Sequence, residues 1–122
     1  MIGYLMIGTN DLEKAAKFYE ELLKDIGASR AFSTEDLVAW NFGEGTSLFT
    51  ITKPYDKNSA TVGNGVMVAL NAKNTEAVES LHAKALELGG TNEGDPGLRG
   101  KGFYAGYFRD LDGNKLNFYC YT

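Results

Sequence analysis

The chain has 122 residues, of which 43% are hydrophobic and 23% charged, and its formal net charge is −4. These values indicate one globular domain spanning residues 1–122 and give no basic surface for nucleic acid. The single cysteine, Cys120, has no partner for an internal disulfide, and no segment has the character of a secretion signal or membrane span. The protein is therefore expected to be cytoplasmic, with no membrane partner.

The first half begins with a predicted strand at residues 3–9. A helix is predicted for "NDLEKAAKFYEELLKDIG", because its apolar residues recur at helical spacing, Asn10 and Glu13 form a cap-like start, and Gly27 supplies a stop. Three strands are predicted to follow, at residues 30–33, 37–42 and 47–52. The polar segment "KPYDKNSATVGNG" is predicted to be a connector.

The same order returns in the second half. "GVMVALNA" is a predicted strand, "NTEAVESLHAKALELGG" a helix, "GDPGLRGKG" a Gly-rich loop at residues 94–102, and "FYAGYFRD" with "NKLNFYCYT" a hairpin. An offset of about 63 residues pairs Asp11 with Asn74 and Gly27 with Gly90. The chain is therefore predicted to contain two related modules, at about residues 1–55 and 63–122.

The segment "DLDGN" between the last two predicted strands allows two interpretations. Asp110, Asp112 and Asn114 alternate as the first oxygen ligands of an EF-hand loop do, but Gly113 comes two positions early and Tyr121 replaces the bidentate Glu. Residues that favour strands flank the segment on both sides. "DG" in that setting predicts the corner of a hairpin.

The letters "GTNDLEKAAKFYEELL" and "FRDLDGNKLNF" resemble the vicinal-oxygen-chelate superfamily of glyoxalases, extradiol dioxygenases and bleomycin or fosfomycin resistance proteins. The resemblance covers essentially the whole chain, although Leu111 and Asn117 depart from the family's ending, D-P-D-G-N followed by two residues and Glu. It implies an α+β fold of two βαβββ modules. Their strands would form one curved mixed sheet with a concave cup, and the helices would cover the outer face.

The resemblance also implies where a divalent metal would bind in the cup. The family commonly supplies a His from the first strand of each module and a carboxylate from the last. By position, these ligands fall on Tyr4, Met67, Asn117 and, within one residue, Phe49. None of these is a normal ligand for zinc, nickel, iron or manganese, so neither a metal nor another cofactor is expected.

Alternation along the last strand predicts which residues line the cup. Leu116, Phe118 and Cys120 should meet the helices, whereas Asn117 and Tyr119 should face the cup. The Gly-rich loop is interpreted either as a flexible surface segment or as a lid that offers Arg99 to an anionic ligand. The only histidine, His82, is predicted to be a packing residue. The complete set of predicted ligand-binding residues is Tyr4, Met67, Asn117, Phe49, Trp40, Tyr107, Tyr119 and Arg99.

Three functions fit these features. The first is a metal-free binding protein that holds a small organic molecule in the cup and forms a homodimer. The alternative is a lyase or isomerase of lactoylglutathione-lyase type, metal-free or with an unrecognised site, in which Tyr4, Tyr107 or Arg99 supplies acid–base or oxyanion chemistry. The third is a structural dimer whose cup is filled by side chains. No catalytic residue is assigned.

Overall fold

The computed structural model describes all 122 residues, which form two compact units, Met1–Val62 and Gly63–Thr122. We call these units module 1 and module 2. Each contains a strand, a helix and three further strands, so the predicted α+β class and the βαβββ order are confirmed. Neither helix is both long and apolar enough to cross a membrane.

Module 1 forms a four-stranded mixed sheet in the order β1-β4-β3-β2. The first strand runs parallel to the last, and the other neighbours are antiparallel. One helix packs on this sheet and ends in a short 3-10 turn, Lys24–Ile26. The elements are β1 (Tyr4–Gly8), α1 (Leu12–Leu23), β2 (Ser29–Ser33), β3 (Leu37–Asn41) and β4 (Leu48–Thr52).

Module 2 repeats this topology in a second four-stranded sheet, with the order β5-β8-β7-β6. Again the first strand runs parallel to the last, so the last strand lies inside the sheet between two neighbours. The hydrogen bonds thus divide the strands between two mixed sheets, one in each module, where the resemblance implied a single curved sheet. The elements are β5 (Val68–Asn71), α2 (Thr75–Glu87), β6 (Thr91–Leu98), β7 (Phe103–Arg109) and β8 (Lys115–Tyr121).

The prediction of a loop over residues 94–102 is wrong for its first half, because residues 94–98 belong to β6. This strand lies at the sheet edge, where Pro96 is tolerated, and its pairing with β7 shifts on both sides of Gly94. A Cβ on Gly94 would lie 3.2 Å from the Tyr107 ring, so glycine allows the two strands to approach. Only residues 99–102 form the turn into β7, and a lid of the predicted length is therefore absent.

The core of each module lies between its helix and one face of its sheet. In module 1, Tyr19 of α1 packs on Phe49, with ring centroids 4.8 Å apart. In module 2, Val78 and Ala85 of α2 are buried, as are Phe108 and Phe118 on the sheet. Each sheet has a second face that points away from its helix, which we call the far face.

The two helices begin with the same hydrogen bond. The Asp11 carboxylate accepts from the Lys14 N–H at 3.1 Å, and the Asn74 side-chain oxygen accepts from the Ala77 N–H at 2.9 Å. These caps are 63 residues apart, as the internal repeat predicts. The predicted cap at Asn10 is displaced by one residue, because the Asn10 amide instead exchanges two hydrogen bonds with the backbone of Ala60 in the connector.

We expect Asp11→Ala and Asn74→Ala each to lower the free energy of unfolding by about 1 kcal/mol, because each leaves a first-turn N–H without its acceptor. Urea denaturation followed by circular dichroism measures both losses. The control exchanges Asp11→Asn and Asn74→Asp keep an acceptor oxygen and should retain most of the stability. A negligible loss in either alanine variant would show that the two caps are not equivalent.

Candidate functional site

Strand register decides which predicted site residues share a face. In module 1, Phe49 pairs with Trp40, and both rings contact Tyr19 of α1, at 4.8 and 6.1 Å between centroids. The Trp40 indole N–H also donates to Glu20 of α1 at 3.2 Å. Phe49 and Trp40 therefore lie between sheet and helix, and their predicted position on the opposite face is wrong.

The far-face residue on β4 is Thr50, one position along. Thr50 pairs with Met6, just as Asn117 pairs with Ala69, and Met6 and Ala69 are related by the 63-residue offset. Thr50 is thus the counterpart of Asn117. Sequence reasoning missed Thr50 because the offset of 63 residues between the modules does not hold for their last strands. The position on β4 was therefore assigned to Phe49, with an uncertainty of one residue.

The corrected positions do not provide the donors of the family's metal site. Tyr4 and Met67 are exposed, Thr50 and Asn117 are buried, and none of the four offers an imidazole or a carboxylate. No group of three or more His, Cys, Asp or Glu side chains in the structure is arranged to hold a metal ion. The residues present therefore do not fit the metal that the fold family implies.

The Asp110 carboxylate organises the last hairpin. One of its oxygens accepts from the backbone N–H groups of Asp112 and Asn114, both at 2.9 Å, and the other accepts from the Asn114 side chain at 3.0 Å. Gly113 takes a φ of 89°, the left-handed conformation that such a turn needs. These contacts give the segment the structure of a hairpin corner, as the sequence predicts.

Asn117 is the central polar side chain on the far face of module 2. Its strand neighbours there are Ala69 on β5 and Tyr107 on β7. The residue is only 1% exposed, and neither its Oδ1 nor its Nδ2 has a hydrogen-bond partner. Buried polar groups are nearly always hydrogen-bonded, and leaving one unpaired costs about 1–3 kcal/mol. An exception of this kind makes Asn117 a candidate for contact with a ligand.

Two cations lie beside this carboxamide. Arg99 Cζ is 5.3 Å from the centroid of the Tyr107 ring, and Lys115 Nζ is 5.6 Å from it. The Arg99 guanidinium donates to the backbone carbonyls of Asp95 at 2.6 Å and Gly97 at 2.9 Å. Neither cation forms an ion pair with a carboxylate. Glu93 is still close enough to feel the charge of Lys115, because its pKa is lowered chiefly by its hydrogen bond from Arg109 and to a smaller extent by Lys115.

Arg109 differs from these two cations because it has an acidic partner. It donates to Glu93 at 2.9 Å and also to the Gly113 carbonyl at 3.1 Å. The hydrogen bond from Arg109 is the main reason that the pKa of Glu93 is lowered, and the same bond raises the pKa of Arg109. The pair connects β6 to β7 and leaves no free charge.

The other end of the same face is aromatic. Phe103 stacks on Tyr119 with centroids 5.4 Å apart, and Tyr121 lies 5.5 Å from Phe103. Ala105, opposite Tyr119 on β7, adds almost no bulk between the rings and Asn117. Of the predicted residues, Tyr107, Asn117 and Tyr119 share this face, whereas Met67 comes just before β5 and is exposed. The prediction omitted Lys115, although alternation along β8 places it on the same face as Asn117.

His82 supports the strands from the helix side. Its Nε2 lies 2.9 Å from the Tyr107 carbonyl and 3.2 Å from Asn92 Oδ1, and because both are acceptors this nitrogen carries the proton. Asn92 in turn donates to Asp95 at 2.6 Å. His82 is buried, as the sequence predicts for a packing residue, and so is the Cys120 thiol.

Two grooves lie in module 1, away from these residues. One, of about 700 Å³, runs between α1 and β2, and the other, of about 1220 Å³, lies under the connector between Pro54 and Ser59. In the first, Glu20 is already paired with Arg30 at 2.8 Å. Neither groove contains a buried polar group without a partner. The unpaired carboxamide of Asn117 is therefore a stronger indication of a ligand site than the volume of these grooves.

We expect the purified protein to carry no stoichiometric divalent metal, because the equivalent positions offer no imidazole or carboxylate. Elemental analysis after dialysis measures this. Added calcium should also leave the melting temperature unchanged, since the Asp110 oxygens already bind the hairpin backbone. Zinc, nickel or manganese that stays bound at near-stoichiometric level would contradict the prediction.

Comparisons with known proteins agree with the fold. A crystal structure of a glyoxalase/bleomycin resistance protein from Albidiferax ferrireducens T118 is 35% identical, with a TM-score of 0.89, and the match covers 98% of this chain and 97% of that one. A lactoylglutathione lyase from Agrobacterium tumefaciens is 19% identical, with a TM-score of 0.73 and coverage of 98% and 92%, which shows likeness of fold alone. No curated protein matches the chain. The family model for the Glyoxalase/Bleomycin resistance protein/Dioxygenase superfamily matches residues 1–118, and the chain therefore belongs to that superfamily.

Proposed function

We propose that this protein binds a small organic molecule on the far face of module 2, with Asn117 as the central polar contact. The observation that carries the proposal is the buried carboxamide with no hydrogen-bond partner. A carboxamide offers two donor hydrogens and an acceptor oxygen. A ligand with complementary groups would satisfy them and recover the free energy lost by burying them unpaired.

The surroundings of Asn117 suit such a ligand. Tyr107, Lys115 and Tyr119, which flank it, are only partly buried, and Ala69 is exposed. The side chains that cover the carboxamide are therefore themselves in contact with solvent, and their rotation would uncover it. Apolar and aromatic side chains around a few polar groups are the usual lining of small-molecule sites.

Binding is a better supported function than lyase or isomerase chemistry. The buried group at the centre of the face is a carboxamide, which does not exchange protons as a general acid or base must. Asn117 is thus suited to orient a ligand. The superfamily contains both enzymes and resistance proteins, so the fold itself does not decide between the two functions.

We expect Asn117→Leu to raise the free energy of unfolding by about 1–3 kcal/mol, because a side chain of similar volume replaces an unpaired buried amide. The same variant should lose ligand binding. Urea denaturation measures the first effect, and a thermal-shift screen of small organic molecules against both proteins measures the second.

The matched control for Asn117→Leu is Thr50→Val, which changes the counterpart position in module 1. Thr50 is also buried, at 2% exposure, but none of its atoms is buried without a partner. Thr50→Val should therefore bind ligand as the unchanged protein does. A ligand that stabilises Asn117→Leu as strongly as the unchanged protein would refute the assignment of the site.

We also propose that the chain forms a homodimer. Large apolar side chains stay exposed on or beside strands of both modules, and exposed apolar patches commonly mark contact surfaces. They include Tyr4, Met6, Met67 and Leu98.

Light scattering should give about twice the chain mass of 13.3 kDa at micromolar concentration, because association would remove the exposed apolar side chains from water. Tyr4→Lys should weaken the association, whereas Tyr55→Lys, in the connector, should not. A single species of monomer mass in the unchanged protein would exclude the dimer.

A further inference from the structure

We infer that the ligand is a small organic anion with a flat apolar body. Its charged group would lie at Arg99 and Lys115, and its body would lie on the aromatic cluster of Phe103, Tyr119 and Tyr121. This inference rests on the proposed function, because it takes Asn117 as the polar centre of the same site. It adds the chemical class of the ligand.

The charge argument begins with the ion pairs. The chain as a whole is acidic, with a net charge of −4, yet Arg99 and Lys115 both lie near one tyrosine ring and form no ion pair, although the charge of Lys115 also acts on Glu93. The two nearby acids are already in use. Glu93 accepts from Arg109 at 2.9 Å, and the Asp95 carboxylate accepts from Asn92 at 2.6 Å.

Arg99 is held in position before any ligand binds. Two of its N–H groups donate to the carbonyls of Asp95 and Gly97, whereas a guanidinium has five donors. The remaining donors are available to an anion, and the side chain loses little further freedom when it binds one. Lys115 adds a second charge from the neighbouring strand. Both charges attract a carboxylate or a similar planar anion to this part of the face.

The aromatic part of the argument comes from spacing along β8. Residues on one face of a strand are about 7 Å apart, so Lys115, Asn117 and Tyr119 follow one another at that interval. Phe103 and Tyr119 stack with an interplanar angle of 25°, and flat ligand rings pack favourably on such surfaces. A ligand that carries an anion at one end and a ring at the other suits this order of cations, carboxamide and rings.

Each half of this surface selects against a simpler ligand. A neutral aromatic molecule would leave Arg99 and Lys115 without a counter-charge. A bare anion would contact the cations but would not cover the aromatic cluster. A molecule with both an anionic group and an aromatic body contacts the cations and the rings together, and it can also hydrogen-bond to the Asn117 carboxamide.

The experiment compares three probes on the full chain: 3-phenylpropionate, its neutral amide 3-phenylpropanamide, and acetate. Isothermal titration gives the dissociation constants, and ¹H–¹⁵N spectra report the Asn117 side-chain amide. We expect 3-phenylpropionate to shift the Asn117 resonances and to bind about tenfold more tightly than either other probe. It should exceed the amide because hydrogen bonds to charged groups are the stronger ones, and it should exceed acetate because its ring packs on the aromatic cluster. Its affinity should fall as salt is added.

Variants locate the anion contact. Arg99→Met and Lys115→Met should each weaken 3-phenylpropionate about tenfold and leave 3-phenylpropanamide unchanged. Lys73→Met, which removes an exposed cation elsewhere in module 2, is the control and should change neither probe. Phe103→Ala should weaken 3-phenylpropionate and leave acetate unchanged.

The possible outcomes separate the two proposals. If the neutral amide binds as tightly as the carboxylate and still shifts Asn117, the anion inference is overturned and the proposed function stands. If acetate binds as tightly as 3-phenylpropionate, the inference that the ligand has an apolar body is overturned. If no probe shifts the Asn117 resonances, and the thermal-shift screen finds no molecule that stabilises the unchanged protein more than Asn117→Leu, both proposals are overturned.

Discussion

Alternation of side chains along β8 determines the chemistry of module 2. This strand lies between β5 and β7, so both of its edges are hydrogen-bonded to neighbouring strands. Leu116 and Phe118 are buried on the helix side, where they help form the core. Asn117, between them, must then point to the far face. A shift of one residue would move the carboxamide into the core and the phenyl ring out of it, so the core holds the candidate site in register.

The same constraint explains why the unpaired carboxamide persists in a folded protein. Burying the Asn117 carboxamide without a partner lowers the free energy of unfolding by about 1–3 kcal/mol, which is a sizeable part of the total stability of a typical domain. The apolar residues on either side of Asn117 keep the register despite this loss. Functional sites commonly retain groups that lower stability because the same groups bind a ligand. In the proposed function, the Asn117 carboxamide is a group of this kind.

The two modules share a backbone plan but differ in their far-face chemistry. Both begin a helix with a side-chain cap at equivalent positions, and both pair the first strand with the last in parallel. On the far face, however, Thr50 stands in module 1 where Asn117 stands in module 2. Module 2 also places two cations around Tyr107. The two modules therefore share their core packing but differ in the polar residues of their far faces. This difference makes module 2 the better candidate for the ligand site.

The sequence by itself determined the α+β class, both helices, the internal repeat and the alternation along β8, because these depend on local periodicity and turn chemistry. It also indicated that the family's metal ligands are missing, since that judgement needs only the residue types. The tertiary structure alone decided that Phe49 and Trp40 pack on Tyr19, that residues 94–98 form an edge strand, and that Arg99 and Lys115 meet at Tyr107. These features depend on register between strands distant in sequence, where one residue of shift exchanges the two faces. The tertiary structure also decided that Asn117 has no hydrogen-bond partner, because only the folded chain shows which groups surround a side chain.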